Sequence, residues 1–172
     1  MPIIAPGAPA PDFRLRREDG SDFTREDLLE RTTVLVFYPF AFSSVCTDQL
    51  QVYEEAIDEI RARGAEMLAV STDATEAQRA FREQLGISVD GAWCHLAFAK
   101  DRNIHFPLLS DFEPKGEASR AFGAYFEPGG MTTRALVIVG PDQTVQWSWI
   151  GEHPGILPGA NLIFDGLAGA RT

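Results

Sequence analysis

The chain has 172 residues, the length of one domain that can bury roughly two thirds of its unfolded surface. Its composition, with 45% hydrophobic and 23% charged residues, is that of a soluble globular protein and excludes disordered and collagen-like chains. The formal net charge of -10 argues against nucleic acid and anionic membrane surfaces as partners.

The first predicted elements are a short hairpin, a short helix and a buried strand. The Pro-rich N-terminus has neither the basic start nor the apolar core of a secretory signal, and no segment reaches transmembrane length. Alternation around Phe13 and Leu15, followed by turn residues at 18–21, predicts a hairpin. Residues 24–29 are expected to form a short helix, and the apolar run 32–38 predicts a central strand.

A longer helix is predicted from Ser43 or Ser44, either of which can cap it, to residue 64. Apolar residues recur at helical spacing over residues 50–60. Residues 66–71 form a second buried run, so strand, helix and strand predict a right-handed parallel α/β unit. Cys46 therefore falls in the first turn of the helix.

The middle of the chain contains a repetition at an offset of 17 residues. Residues 68–73 are echoed by residues 85–90, and an Ala-Phe pair at 80–81 recurs at 97–98. Two copies are too few for a repeat architecture, and we expect two helices, at 74–85 and 91–102.

The C-terminal third predicts a strand, a helix, a hairpin and a final helix. In chain order these are a strand at 106–110, a helix at 115–122, a loop at 128–130, a hairpin of 133–139 and 144–150 joined by a turn at 140–143, and a helix at 160–167. No linker or shift in composition divides the sequence, so we expect a single domain over residues 1–172.

Cys46 is the candidate nucleophile. A cysteine in the first turn of a helix lies near the positive end of the helix dipole and near free backbone N–H groups, which favour the thiolate. Placement alone is equally compatible with a buried cysteine that packs as a small hydrophobic residue.

Residues 39–46, Pro-Phe-Ala-Phe-Ser-Ser-Val-Cys, resemble the peroxiredoxin signature Pro-x-x-x-Thr/Ser-x-x-Cys that follows a buried strand. The similarity continues at 37–39, at 106–111, and at Arg134 before the apolar run 135–139, and so spans nearly the whole chain. The chain resembles the alkyl hydroperoxide reductase and thiol-specific antioxidant type, close to the bacterioferritin-comigratory-like or alkyl hydroperoxide reductase E-like groups. The resemblance implies a thioredoxin-like α/β fold with a central mixed sheet flanked by helices.

The resemblance also implies a role for each matching residue. Cys46 would be the peroxidatic cysteine, Ser43 would hydrogen-bond the peroxide, Pro39 would shield the thiolate, and Arg134 would polarise the site. These three neighbours also have ordinary structural interpretations, as an N-cap, a strand end and an exposed strand arginine respectively. Ser43 stands where Thr is usual, and Gln49 where the family often has Glu, so a charged network becomes neutral.

Peroxide attack would leave Cys46 as a sulfenic acid that a second thiol must reduce. Some relatives carry a resolving cysteine five residues later, but Gln51 occupies that position. Cys94 is a possible resolving residue; the alternatives are a structural role for Cys94 and reduction by an external thiol, from a thioredoxin-like protein or a low-molecular-weight thiol.

The remaining expectations concern cofactors, assembly and location. His95, His105 and His153 lack metal-ligand spacing, so we expect no metal and no cofactor. The presence of only two cysteines in the chain favours a cytoplasmic protein with reactive thiols. The resemblance implies a homodimer. The alternative function is a redox sensor or holdase that uses the same cysteine without efficient turnover.

Overall fold

A β-sheet forms the centre of the structure, a computed structural model that describes residues 2–17, 19–39, 43–72, 104–153 and 155–170. The strands are β1 Arg14–Arg16, β2 Asp22–Thr24, β3 Thr32–Phe37, β4 Ala65–Ser71, β5 Leu108–Ser110, β6 Tyr125–Phe126, β7 Met131–Thr132, β8 Ala135–Val139 and β9 Val145–Ile150. The helices are α1 Ser44–Glu55, α2 Ile57–Ala62, α3 Glu117–Phe122 and α4 Ala160–Gly169, with 3-10 turns at Arg25–Leu28 and Glu127–Gly129.

Seven strands pair in the order β2-β1-β5-β4-β3-β8-β9. The central strand β3 is parallel to β4, which is parallel to β5, and antiparallel to β8 on its other side. Strands β1 and β2 form the predicted N-terminal hairpin, and β8 and β9 form the predicted C-terminal one. The expected α/β fold with a mixed sheet flanked by helices is confirmed.

Both faces of the sheet are covered, which explains why β3 is apolar at nearly every position. Along β3 and the residue after it, Val34, Val36 and Tyr38 belong to one buried cluster, together with residues of α1, α2 and α4. The alternate residues Leu35 and Phe37 belong to the opposite cluster, with residues of α3 and the N-terminal hairpin. The period-2 alternation of a strand therefore determines which side chains face α1.

Helix α4 packs closely against the sheet at Gly166. A Cβ atom there would lie 2.8 Å from both the Trp147 ring and Ile138 Cδ1, a distance that side-chain packing does not permit. The absence of a side chain thus allows α4 to approach β8 and β9.

Three predicted elements differ from the structure. The single helix expected up to residue 64 is two helices, because the Ala56 N–H bonds to the Tyr53 carbonyl in a tighter turn that ends α1. The short helix expected at 24–29 is one 3-10 turn, whose start is held by a 2.7 Å bond from the Thr24 N–H to the Asp27 carboxylate. The region expected as a loop at 128–130 contains the 3-10 turn Glu127–Gly129. It joins β6 and β7, two strands that are too short to show an alternation in the sequence.

The predicted helices at 74–85 and 91–102, and with them most of the 17-residue repetition, lie outside the described residues. Within the ranges that the structure describes, no helix combines the length and apolarity needed to cross a membrane.

Candidate active site

The beginning of α1 is built around Ser43, the N-cap residue. The Ser43 Oγ accepts a hydrogen bond from the Cys46 N–H at 3.3 Å, and the Ser43 carbonyl accepts one from the Thr47 N–H at 2.9 Å. Cys46 is therefore held in the first helical turn, as predicted, and it is fully buried. Ser43 itself is half-buried.

Arg134 reaches the cysteine from the sheet. It lies one residue before β8, and strand alternation places it on the same face as Leu136, which packs against the helices. Arg134 Nη2 lies 3.4 Å from Cys46 Sγ, and the side chain is almost completely buried. The Gly151 N–H donates to the Arg134 carbonyl at 2.9 Å, which fixes the backbone from the β9 side. The exposed strand arginine considered as an alternative is thus excluded.

Pro39 is buried and follows the carboxyl end of β3. The backbone next to it is fixed on both sides, since the Tyr38 N–H donates to Val70 at 3.0 Å and the Tyr38 carbonyl accepts from the Thr132 hydroxyl. Because α1 starts a few residues later, Pro39 and the helix start lie at the same edge of the sheet. This placement agrees with a shielding position and equally with a proline that ends the strand.

A chain of buried hydrogen bonds continues from Arg134 into the core. Arg134 Nη1 donates to Gln49 Oε1, Gln49 Nε2 donates to the Tyr53 hydroxyl at 3.2 Å, and that hydroxyl donates to the Pro158 carbonyl at 2.8 Å. Burial raises the pKa of Tyr53, so the hydroxyl keeps its proton as a donor. The helical spacing over residues 50–60 predicts Tyr53 only as a core position, but its spacing from Cys46 and Gln49 puts all three side chains on one helical face.

Two positive features lie beside the Cys46 sulfur. A buried guanidinium lies against Cys46 Sγ, and the sulfur is in the first turn of α1, where the helix dipole is positive. Cys46, Gln49 and Arg134 are all at most 2% exposed. Water therefore screens the interaction between the guanidinium and the sulfur only weakly. A thiolate with an adjacent fixed donor is the arrangement needed for nucleophilic attack.

Two of the histidines considered for chemistry, His105 and His153, lie apart from this group. His105 pairs through Nδ1 with the Glu54 carboxylate at 2.6 Å, while His153 lies in an exposed loop. In the described part of the chain, no three His, Cys, Asp or Glu side chains are placed to hold a metal ion. Cys94 and His95 lie outside the described residues, so the resolving role of Cys94 stays a prediction.

Comparisons with known proteins agree with this geometry. Residues 6–148 match the sequence model of the AhpC/TSA family. The chain is 28% identical over 163 residues to alkyl hydroperoxide reductase E of Mycobacterium tuberculosis, covering 94% of this chain and 95% of that protein. It is 31% identical over 151 residues to a putative peroxiredoxin in the rubredoxin operon of Clostridium pasteurianum, covering 85% and 78%. The crystal structure of Enterococcus faecalis AhpC superposes with a TM-score of 0.79 at 25% identity, covering 96% of this chain and 92% of that one.

Proposed function

The chain belongs to the AhpC/TSA family, and from that premise we propose that it is a thiol-dependent peroxidase in which Cys46 attacks the peroxide. The substrates are hydrogen peroxide, organic hydroperoxides or both. The observation that carries this proposal is the 3.4 Å contact between Arg134 Nη2 and Cys46 Sγ, both buried, at the start of α1. The redox-sensor alternative uses the same sulfur but has no specific feature of the site in its favour.

The first step forms a bond between the Cys46 sulfur and the terminal peroxide oxygen while the O–O bond breaks. The sulfur loses two electrons and becomes a sulfenic acid that keeps the hydrogen of that terminal oxygen. The second oxygen leaves with the electron pair of the O–O bond and takes a proton from solvent, giving water or an alcohol. The peroxide is thereby reduced and Cys46 oxidised, with no cofactor in the balance.

The neighbouring residues have distinct parts in this step. The Arg134 guanidinium stabilises the thiolate before attack and the negative charge that spreads over the two oxygens during it. The Ser43 hydroxyl accepts from the Cys46 N–H and still has its own proton to donate to a peroxide oxygen. Pro39, at the carboxyl end of β3, limits the access of water to the sulfur.

Recovery of the enzyme requires a thiol. A thiol that attacks the sulfenic acid releases water and forms a disulfide, and a second thiol then restores the Cys46 thiolate. We propose that the electrons come from an external reductant, either a thioredoxin-like protein or a low-molecular-weight thiol. Cys94 is the candidate for an intramolecular first step, which would give a transient Cys46–Cys94 disulfide before that reductant acts.

Peroxide consumption in the presence of a thiol reductant tests the proposal, with Cys46→Ser and the matched variant Cys94→Ser measured beside the native protein. Cys46→Ser should lose the catalysed consumption entirely, and retention of full activity in that variant would overturn the proposal. Retained activity in Cys94→Ser assigns resolution to the external thiol. Mass measurement without reductant, after one equivalent of peroxide, separates a Cys46–Cys94 disulfide from a persistent sulfenic acid.

The proposal extends to assembly and location. We propose a homodimer, as the sequence resemblance implies, and sedimentation of the purified protein tests this directly. A cytoplasmic location is consistent with a chain of only two cysteines.

A further inference from the structure

Tyr53 lies two helical turns from Cys46, and its hydroxyl group is the far end of the buried chain of hydrogen bonds that starts at the sulfur. Cys46, Gln49 and Tyr53 follow one another at spacings of three and four residues, so they share the face of α1 that is turned to the sheet. All three are fully buried. A change at Tyr53 is therefore transmitted through one intermediate side chain to the arginine that contacts the sulfur.

The tyrosine hydroxyl and Arg134 both select the same orientation of the Gln49 amide. A hydroxyl has one proton, and here it is donated to the Pro158 carbonyl at 2.8 Å, so towards Gln49 the oxygen acts only as an acceptor. It therefore selects the amide NH2 group of Gln49, at 3.2 Å. The amide oxygen is then left pointing at Arg134, which donates to it through Nη1.

The orientation of the amide in turn fixes the guanidinium. Arg134 uses one terminal nitrogen on Gln49 and the other on Cys46 Sγ, and the planar fork of an arginine couples the two contacts rigidly. Without the Gln49 oxygen, the guanidinium loses one of the bonds that hold it against the sulfur. Because the site is buried, the amide NH2 group would find no solvent to replace the hydroxyl.

We propose that Tyr53 is a positioning residue for the peroxidase reaction, acting through Gln49 to hold Arg134 against the Cys46 sulfur. This inference rests on the proposed function for its meaning in catalysis. It assigns a functional effect to the hydroxyl group itself, beyond the packing of the ring. Pro158, which anchors that hydroxyl, lies just before α4, so the segment between β9 and α4 also contributes to the alignment.

The test is a double-mutant cycle of Tyr53→Phe and Arg134→Met, built in a Cys94→Ser background so that Cys46 is the single thiol. Two rate constants are measured over a range of pH: oxidation of Cys46 by hydrogen peroxide and its alkylation by iodoacetamide. Tyr53→Phe should slow oxidation roughly tenfold, the usual effect of one buried hydrogen bond. In the Arg134→Met background the same substitution should change the rate by less than about twofold, since there is no guanidinium left to position.

The control variants separate this effect from lost stability. Tyr125→Phe removes the same atom from a ring on β6, and Ser119→Ala removes a buried hydroxyl that bonds to Asp111 at 2.6 Å; both should leave the two rate constants unchanged. An equal loss of rate from Tyr53→Phe in both Arg134 backgrounds would show a general structural effect and overturn the inference. So would a change of less than about twofold in the background with Arg134 intact.

Two further measurements are the alkylation of Cys46 and the NMR signals of Gln49. A native protein that failed to reduce peroxide would refute the proposed function. Alkylation does not require peroxide turnover, so the double-mutant cycle could still be measured with the alkylation rate constant. If Tyr53→Phe does not fold, NMR of the native protein replaces it. The side-chain NH2 protons of Gln49 should be distinct and protected from exchange with solvent, whereas averaged, rapidly exchanging signals would overturn the inference.

Discussion

Replacement of Arg134 tests how much of the reaction depends on a single buried side chain. The guanidinium contacts Cys46 Sγ at 3.4 Å and donates a hydrogen bond to Gln49. A charge-assisted hydrogen bond contributes about 1.5–3 kcal/mol, so its loss from the transition state corresponds to a decrease of about 10- to 150-fold in kcat/KM. Arg134→Met removes both the charge and the donors, and we expect it to fall in the upper part of this range.

Arg134→Lys is the informative companion variant. Lysine keeps the positive charge but has no planar fork, so it cannot hold Gln49 and Cys46 at the same time. We expect a smaller loss than in Arg134→Met, about tenfold. The difference between the two variants separates the contribution of charge from that of geometry.

The assay is peroxide consumption at saturating thiol reductant, with kcat/KM taken from the peroxide dependence. Arg120→Lys serves as the matched control, because Arg120 pairs with the exposed Glu127 on the α3 side of the molecule and has no contact with Cys46. Thermal unfolding of each variant checks that the site is still folded. A folded Arg134→Met variant with the kcat/KM of the native protein would refute the assignment of Arg134 to the reaction.

Two other substitutions give distinct results. Ser43→Ala removes both the N-cap of α1 and a donor to the peroxide, so stability should fall by about 1 kcal/mol and kcat/KM by at least about tenfold, while Ser43→Thr should keep both. Burial raises the pKa of Asp111 to about 6, against the effect of its bonds from Ser119 and Ala118. The folded protein therefore retains a proton that the unfolded chain has released above its ordinary pKa of 3.8, and the stability from this group is lost as the pH rises from about 4 to about 6. Relative to Asp111→Asn, the unfolding free energy of the native protein should fall by roughly 2 kcal/mol over that range.

Each of these two predictions has an outcome that would contradict it. If Ser43→Ala loses stability but keeps its kcat/KM, Ser43 is only a helix cap. Urea unfolding at several pH values measures the effect of Asp111, and a difference from Asp111→Asn that does not change between pH 4 and pH 6 contradicts the raised pKa.

The sequence predicted the parts of the site that depend on neighbours in the chain. Cys46 and Ser43 could be placed because a strand end and a helix cap are local patterns, and the face that Arg134 occupies follows from strand alternation. The bonds of Gln49 and Tyr53 could not be predicted in the same way. They require that β8 pairs with β3 and that the Pro158 carbonyl lies next to the Tyr53 hydroxyl on α1. The periodicity of neighbouring residues predicts neither contact.

The same distinction explains the errors in the fold. The turn at Ala56 has no Gly or Pro to mark it, and the apolar spacing continues through it to Ile57 and Ile60, so the pattern predicted one helix. The short strands β6 and β7 hold two residues each, too few for alternation to be visible. Apart from this helix, the long elements with a buried face were predicted within two residues of their observed ends: β3, β4, β8, β9 and α4.

The pairing of β3 with β8 has a consequence for how such a site can change in evolution. Phe37 lies opposite Ala135, and this register brings the residues just beyond the two strands, Tyr38 and Arg134, to one face. Inserting or deleting a single residue next to β8 would turn the arginine to the opposite face, even if every hydrogen bond between the strands re-formed. A change of length beside β8 would therefore remove the arginine from the site in one step, while the sheet and its core are kept.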